Sequence, residues 1–164
     1  MDDPSASNPA GVLRPKVVTR DPLNVETPLS LLDGGVTPTA AFYIRSNFRA
    51  PSMDADSWRL RVHGAVEHPR VWTLQELQEL GVVRCRTTLE CAGNGRNQLR
   101  PQPPGTPWGL GAAGTAEFTG VALAEVLDAA GIRPGATTCI FSGADEGEVE
   151  DGSRRRFQRS LPLA

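Results

Sequence analysis

The stretch TLECAGNGR, Thr88 to Arg96, puts a cysteine at the end of an apolar, β-branched run and follows it at once with two glycines, an asparagine and an arginine. A run of that composition ahead of glycines reads as a strand breaking into a tight turn. Gly93 and Gly95 can take backbone angles closed to other residues, so the turn is able to gather backbone N–H groups and the Arg96 guanidinium around the Cys91 sulfur. Surroundings of that kind favour thiolate over thiol, and thiolate is the form that binds metals or attacks electrophiles. The competing reading of a single cysteine is a buried residue acting as a small hydrophobe.

Working outward, VVRCRTTLEC, Val82 to Cys91, is predicted as one strand with Cys85, Thr87, Leu89 and Cys91 on the same face. Cys85 and Cys91 cannot be bridged within a strand without distortion. WRLRVHG, Trp58 to Gly64, alternates strictly, with Trp58, Leu60 and Val62 on one face and Arg59, Arg61 and His63 on the other, so it reads as a half-buried strand. Thr73-Leu74-Gln75-Glu76 has the form of a capping box, and a short helix is predicted from Leu74 to Leu80, stopping at Gly81. A second helix is predicted over Val121 to Ala130, with Leu123, Val126 and Leu127 on one face, followed by a strand at Thr137 to Phe141. Four prolines and three glycines between Arg100 and Gly111 force a loop.

The acidic block Asp145 to Asp151, followed by Arg154-Arg155-Arg156, reads as a solvated surface loop, Asp145 excepted. Residues 1–20 read as a flexible N-terminal arm and Asp21 to Pro38 as an irregular strap on the core. The remainder, residues 21–164, reads as one domain. Its class is α+β, with mixed β-sheets and a few short helices.

Composition narrows the function. With 17 basic and 19 acidic residues the formal charge is −2, too near neutral for a nucleic-acid footprint or a membrane-surface patch. Three cysteines without a C-x-x-C pair argue against a disulfide scaffold or a tetrahedral zinc site, and Cys85 and Cys139 default to core packing. No secretory signal and no apolar run long enough to span a membrane is visible, so the expected location is cytoplasmic.

Five blocks carry a resemblance. CAGN followed closely by Arg96 resembles the segment that ligates molybdenum in the sulfite oxidase family of molybdopterin enzymes. YIRSNFRAP, Tyr43 to Pro51, looks like the family's FVRNHxPxP, with Asn47 standing where many members have His. WGLGAAGTAEFTGVALAEVLDAAGI, Trp108 to Ile132, FSGAD, Phe141 to Asp145, and FQRSLPLA, Phe157 to Ala164, are similar to further family segments in the same order. The resemblance implies a Mo-molybdopterin cofactor with Cys91 as the protein ligand to the metal, and oxo transfer that oxidises sulfite to sulfate. Arg45 and Arg96 match positions that would hold a small oxyanion substrate. Tyr43, Ile44, Arg45, Ser46, Asn47 and Asp145 inherit contacts to the cofactor.

The resemblance also implies an electron acceptor of unknown identity. Later family segments and the family's dimerisation domain are absent from these 164 residues, so the molybdopterin-binding domain reads as incomplete at its C-terminal end. His68-Pro69-Arg70 lacks the glycines of a haem-binding HPGG, so no haem is expected in this chain. Three alternatives stand beside this reading: a non-catalytic fragment or paralogue acting as a binding module, a reductase of another S-oxide substrate, and a thiol enzyme pairing Cys91 with His63 or His68.

Overall fold

The computed structural model describes residues 15–163. In chain order the strands are β1 (Lys16–Arg20), β2 (Leu23–Glu26), β3 (Arg59–Val62), β4 (Arg70–Thr73), β5 (Val83–Glu90), β6 (Ala113–Gly120), β7 (Thr138–Glu148) and β8 (Arg154–Pro162). The helices are α1 (Leu74–Gln78), between β4 and β5, and α2 (Leu123–Ala130), between β6 and β7. Among the described residues the strands pair two by two, β1 with β2, β3 with β4, β5 with β6 and β7 with β8. The architecture is the expected α+β with a few short helices, its sheets small and two-stranded.

Two compact units result. The first takes residues up to Ser46 together with Thr87–Ala116, and the second takes Asn47–Arg86 and the chain from Glu117 onward. In the first unit, β1 and β2 run antiparallel, with Lys16 opposite Glu26 and Val17 opposite Val25. At residues 16–20 this corrects the expectation of a loose arm. The β-branched run KVVTR finds a partner in LNVE, and pairing satisfies its backbone groups. Residues 1–14 of that arm lie outside the described residues. The strap from Asp21 to Pro38 is likewise more ordered than its prolines suggest. It contributes β2 and a 3-10 turn at Leu29–Leu31, and it buries Asn24, Val25, Glu26, Thr27 and Thr37.

The second unit has the clearer apolar core, formed by Val66, Trp72, Val126 and Ala130 with Leu60, Val62 and Leu77 packed against them. β3 and β4 pair antiparallel, Leu60 opposite Trp72, and the predicted alternation of WRLRVHG holds residue by residue in burial. Thr73 and Glu76 form the capping box. Glu76 N–H donates to Thr73 Oγ1 at 3.1 Å and Thr73 N–H donates to the Glu76 carboxylate at 2.8 Å. Helix α2 starts two residues later than predicted because Ala122 is extended and offers no side-chain cap. Its buried face is Val126 and Ala130, while Leu123 is exposed.

Two further expectations are corrected. The acidic block is mostly strand, since β7 runs through Glu148 and pairs with β8, bringing Glu146 opposite Arg156 and Glu148 opposite Arg154. Opposite charges across the ladder, including the Arg154–Glu146 ion pair at 3.0 Å, remove the repulsion that made a loop look necessary. Cys85 does not pack in a core. All eight residues of β5 are exposed, and Cys139 is half-buried. No helix among the described residues is long and apolar enough to cross a membrane.

Candidate functional site

β5 ends at Glu90, and Cys91 is the first residue of the turn beyond it. The turn is built from main-chain bonds. Cys91 N–H donates to Ala112 O at 2.9 Å, Asn94 N–H to Cys91 O at 2.8 Å, and Arg96 N–H to Gly93 O at 3.1 Å. Gly95, at φ 77°, takes the left-handed conformation that lets the chain reverse into the 3-10 turn Arg96–Gln98. Gly95 N–H then reaches Gly109 O at 2.6 Å and Asn97 N–H reaches Trp108 O at 2.9 Å. The Asn94 side chain closes the frame. Its amide donates to the Glu90 carboxylate at 2.8 Å, and its carbonyl accepts from Ala112 N–H at 3.0 Å.

Within that frame Cys91 is half-buried and its sulfur accepts the Gly93 N–H at 3.5 Å. Gly93 is buried, and a Cβ there would meet Arg96 Nη2 at 2.9 Å and Trp108 Cδ1 at 3.1 Å, so the guanidinium and the indole pass where only a glycine leaves space. Arg96 Nη1 donates to Pro104 O, which ties the Pro-rich loop to the turn. Arg96 Nε and Asn97 Oδ1 are buried without a hydrogen-bond partner. Buried polar atoms without partners call for an ordered water or another polar group beside them.

The segment around Arg45 belongs to the same unit. Ile44 bridges to Val25 through a reciprocal pair of 2.9 Å hydrogen bonds, and Ser46 N–H donates to Asn24 Oδ1 at 2.8 Å, so Arg45 is held at both flanks by β2. Arg45 itself is exposed. The Tyr43 ring stacks on Phe42 with centroids 5.2 Å apart. Burial, and after it the charges of Cys91 and Glu90, push the Tyr43 hydroxyl up from the ordinary value of 10.0, keeping it a protonated donor.

The structure therefore brings Tyr43, Ile44, Arg45, Ser46, Cys91 and Arg96 into one unit, and places Asn47 and Asp145 in the other. Asp145 lies in β7 where the register with β8 shifts, between Ser142 and Glu146. A shallow depression of about 240 Å³, lined in part by Thr37, Thr88 and Thr115, is a separate feature of the first unit that does not include Cys91. Sequence reasoning missed the buried polar residues of β2 and its exit, Asn24, Glu26 and Thr27. The only signal for them is NVET, a polar-rich tetrad inside a stretch otherwise punctuated by prolines.

Comparison with known proteins decides the family. Residues 47–164 match the oxidoreductase molybdopterin binding domain. The chain belongs to that family. A nitrate reductase [NADH] from Volvox carteri is 34% identical over 156 residues, covering 91% of this chain. Human mitochondrial sulfite oxidase is 32% identical over 99% of the chain, and the sulfite oxidase of Gallus gallus is 33% identical over the same share. The chain spans only 18%, 30% and 37% of those three relatives. The crystal structure of the sulfane dehydrogenase SoxCD from Paracoccus pantotrophus shares the fold, with a TM-score of 0.69 at 23% identity over 96% of this chain and 43% of its own.

Proposed function

We propose that this molybdopterin-binding domain serves an oxidoreductase acting on a small oxyanion, with sulfite as the substrate and Cys91 as the single protein ligand to molybdenum. The observation that carries the reading is the half-buried Cys91, held by main-chain bonds at the head of a turn that also carries the unpartnered Arg96 Nε and Asn97 Oδ1. The donor set fits the cofactor. Among the described residues no three His, Cys, Asp or Glu side chains gather to hold an ion, so a metal here would take one thiolate from the protein and its other ligands from its own cofactor. Tyr43, Ile44 and Ser46 are the remaining cofactor contacts that this unit supplies in this reading.

When bound, the molybdenum cofactor supplies oxo transfer coupled to two-electron redox change. The protein's part is position and charge. Arg45 has an exposed guanidinium whose neighbours are pinned to β2, so it can orient an oxyanion through paired, charge-assisted hydrogen bonds. Arg96, five residues on in the same turn, combines an Nη1 fixed on Pro104 O with a buried, unpartnered Nε, and its positive charge favours an anion in this unit. Tyr43 adds a neutral hydroxyl donor.

Two relatives named sulfite oxidase support sulfite, while the nitrate reductase at 34% identity favours nitrate as the second reading. Both are small oxyanions, and they differ in the direction of electron flow. The test is to purify the polypeptide carrying this domain from a host that makes the cofactor, and to measure molybdenum with a dye as acceptor for sulfite or as donor for nitrate. Stoichiometric metal with sulfite-dependent dye reduction is expected in the wild type, and loss of turnover together with loss of the thiolate-to-metal absorption in Cys91→Ser. Unchanged turnover and an unchanged visible absorption spectrum in Cys91→Ser would refute the assignment of Cys91, and nitrate-dependent dye oxidation without sulfite turnover would select the second reading.

A further inference from the structure

Glu26 is a carboxylate in a place where carboxylates are seldom found. Its side chain is only 6% exposed, at the end of β2, opposite Lys16 in the β1–β2 register. An ionised group so deeply placed needs partners. Two are present. Lys16 Nζ lies 3.1 Å from Oε2, and Gly109 N–H donates to Oε1. A Cβ at Gly109 would come within 2.8 Å of that oxygen, so the glycine is what lets the backbone reach the carboxylate.

The Trp108–Gly109 peptide is thereby bonded on both sides. Its N–H is held by Glu26, and its carbonyl accepts Asn97 N–H at 2.9 Å. The next carbonyl, Gly109 O, accepts Gly95 N–H, and Ala112 O accepts Cys91 N–H. A carboxylate pulling on a peptide N–H polarises the same peptide's carbonyl and strengthens the bond that carbonyl accepts. The β2 strand also grips this segment through Thr27 N–H to Gly111 O at 2.8 Å and Thr27 Oγ1 to Ala113 O at 2.8 Å.

We infer that Glu26 is a positioning residue for Cys91, acting through the main chain of residues 108–112, which it anchors to β2 and which in turn sets the turn bearing the thiol. That Cys91 binds molybdenum rests on the preceding reading; the anchoring itself does not. Lys16 closes the charge balance of the buried carboxylate from the surface side, being 65% exposed.

The test is residue-resolved amide hydrogen exchange on the 164-residue chain, comparing wild type with Glu26→Leu and Glu26→Gln. Leucine removes the acceptor, while glutamine keeps a carbonyl oxygen at the same reach. Exchange at Gly95 and Asn97 is expected to quicken by roughly tenfold in Glu26→Leu and to return most of the way in Glu26→Gln. His68 and Gly131, whose amides are bonded within the second unit, should keep their wild-type rates in both. Unchanged protection at Gly95 and Asn97 in Glu26→Leu would overturn the inference. So would an equal loss of protection in both units, which is the mark of general destabilisation. If Glu26→Leu does not fold, Glu26→Ala, which removes the acceptor without adding bulk, takes its place: faster exchange confined to Gly95, Asn97 and Gly109 supports the anchoring, and a wild-type or uniformly raised pattern overturns it. Failure of the metal assay for Cys91 would leave this exchange pattern untouched, so the two claims fall separately.

Discussion

Replacing Gly111 by alanine tests the contact between β2 and the segment that holds the Cys91 turn. The new Cβ would fall inside the contact radius of the Thr27 carbonyl oxygen and 2.9 Å from Glu26 Cβ. The first of these is backbone, so no side-chain rotation relieves it. Either β2 retreats or the segment does, and the Thr27 N–H to Gly111 O bond lengthens with it. Overpacking of this kind costs about 1–3 kcal/mol, and a weakened backbone hydrogen bond adds about 1, giving about 2–4 kcal/mol in all. At 1.4 kcal/mol per tenfold, the ratio of folded to unfolded first unit should drop by about 30- to 1,000-fold.

Two glycines of β6 calibrate the measurement. A Cβ at Gly114 meets only the rim of the Phe42 ring, 2.7 Å away, and a ring can shift, so the loss there should be smaller. Gly120 has nothing within 4 Å and no positive φ, so alanine there should be neutral or stabilising by about 0.4–1 kcal/mol through the unfolded chain. Urea titration followed by circular dichroism and by tryptophan emission, in which buried Trp108 reports on the first unit, gives the order directly. If Gly111→Ala is as stable as Gly120→Ala, the packing of β2 on residues 109–112 is not as described and the argument built on it fails.

Other consequences can be checked alongside. Arg45 is exposed, so Arg45→Met should change stability by no more than about 0.5 kcal/mol while raising the KM for an oxyanion substrate. Arg96→Met should also loosen the Pro104 loop, costing about 1.5–2 kcal/mol, the lower part of the range for hydrogen bonds to charged groups, with proteolysis near residue 104 as the readout. The bonds from Thr73 hold the Glu76 carboxyl below its ordinary 4.5, so the capping box stabilises α1 above that value and is lost as pH falls through the lower folded one. Glu76→Gln should therefore flatten the acid side of the unfolding profile, and an unchanged profile would argue against the capping box.

What the sequence disclosed and what it withheld follow from the range of the interactions. The alternation of Trp58 to His63 and the capping box at Thr73 are local, and both are present as read. The turn at Cys91 was legible because Gly93 and Gly95 can serve few other purposes beside a cysteine. Matching family segments pointed to the fold and cofactor that the family comparison supports. Residues 16–20 were misread because the partner of KVVTR lies across Asp21–Pro22 in a stretch whose prolines suggested disorder. The acidic block was misread because the charges that offset it are cross-strand, in β8. Glu26 was invisible for the same reason. Its partners are 10 and 83 residues away, and no window along the chain contains all three.

The Cys91 turn is hung mostly on carbonyls and amides, with the Asn94 and Glu90 side chains and the Cys91 sulfur adding to the frame, and this sorts the kinds of change the region can absorb over evolutionary time. Between Leu99 and Pro107 the chain leaves one bonded segment and returns to the other, so added or lost residues there disturb little beyond the tether from Arg96. Inside 108–112 the case is reversed. A single inserted residue would slide Trp108 O, Gly109 O and Ala112 O past Asn97, Gly95 and Cys91 in one step, and no exchange of side chains could restore the alignment. The stretch should tolerate spelling changes better than changes of length, and lineages that lengthen this neighbourhood should do so in the proline-rich loop.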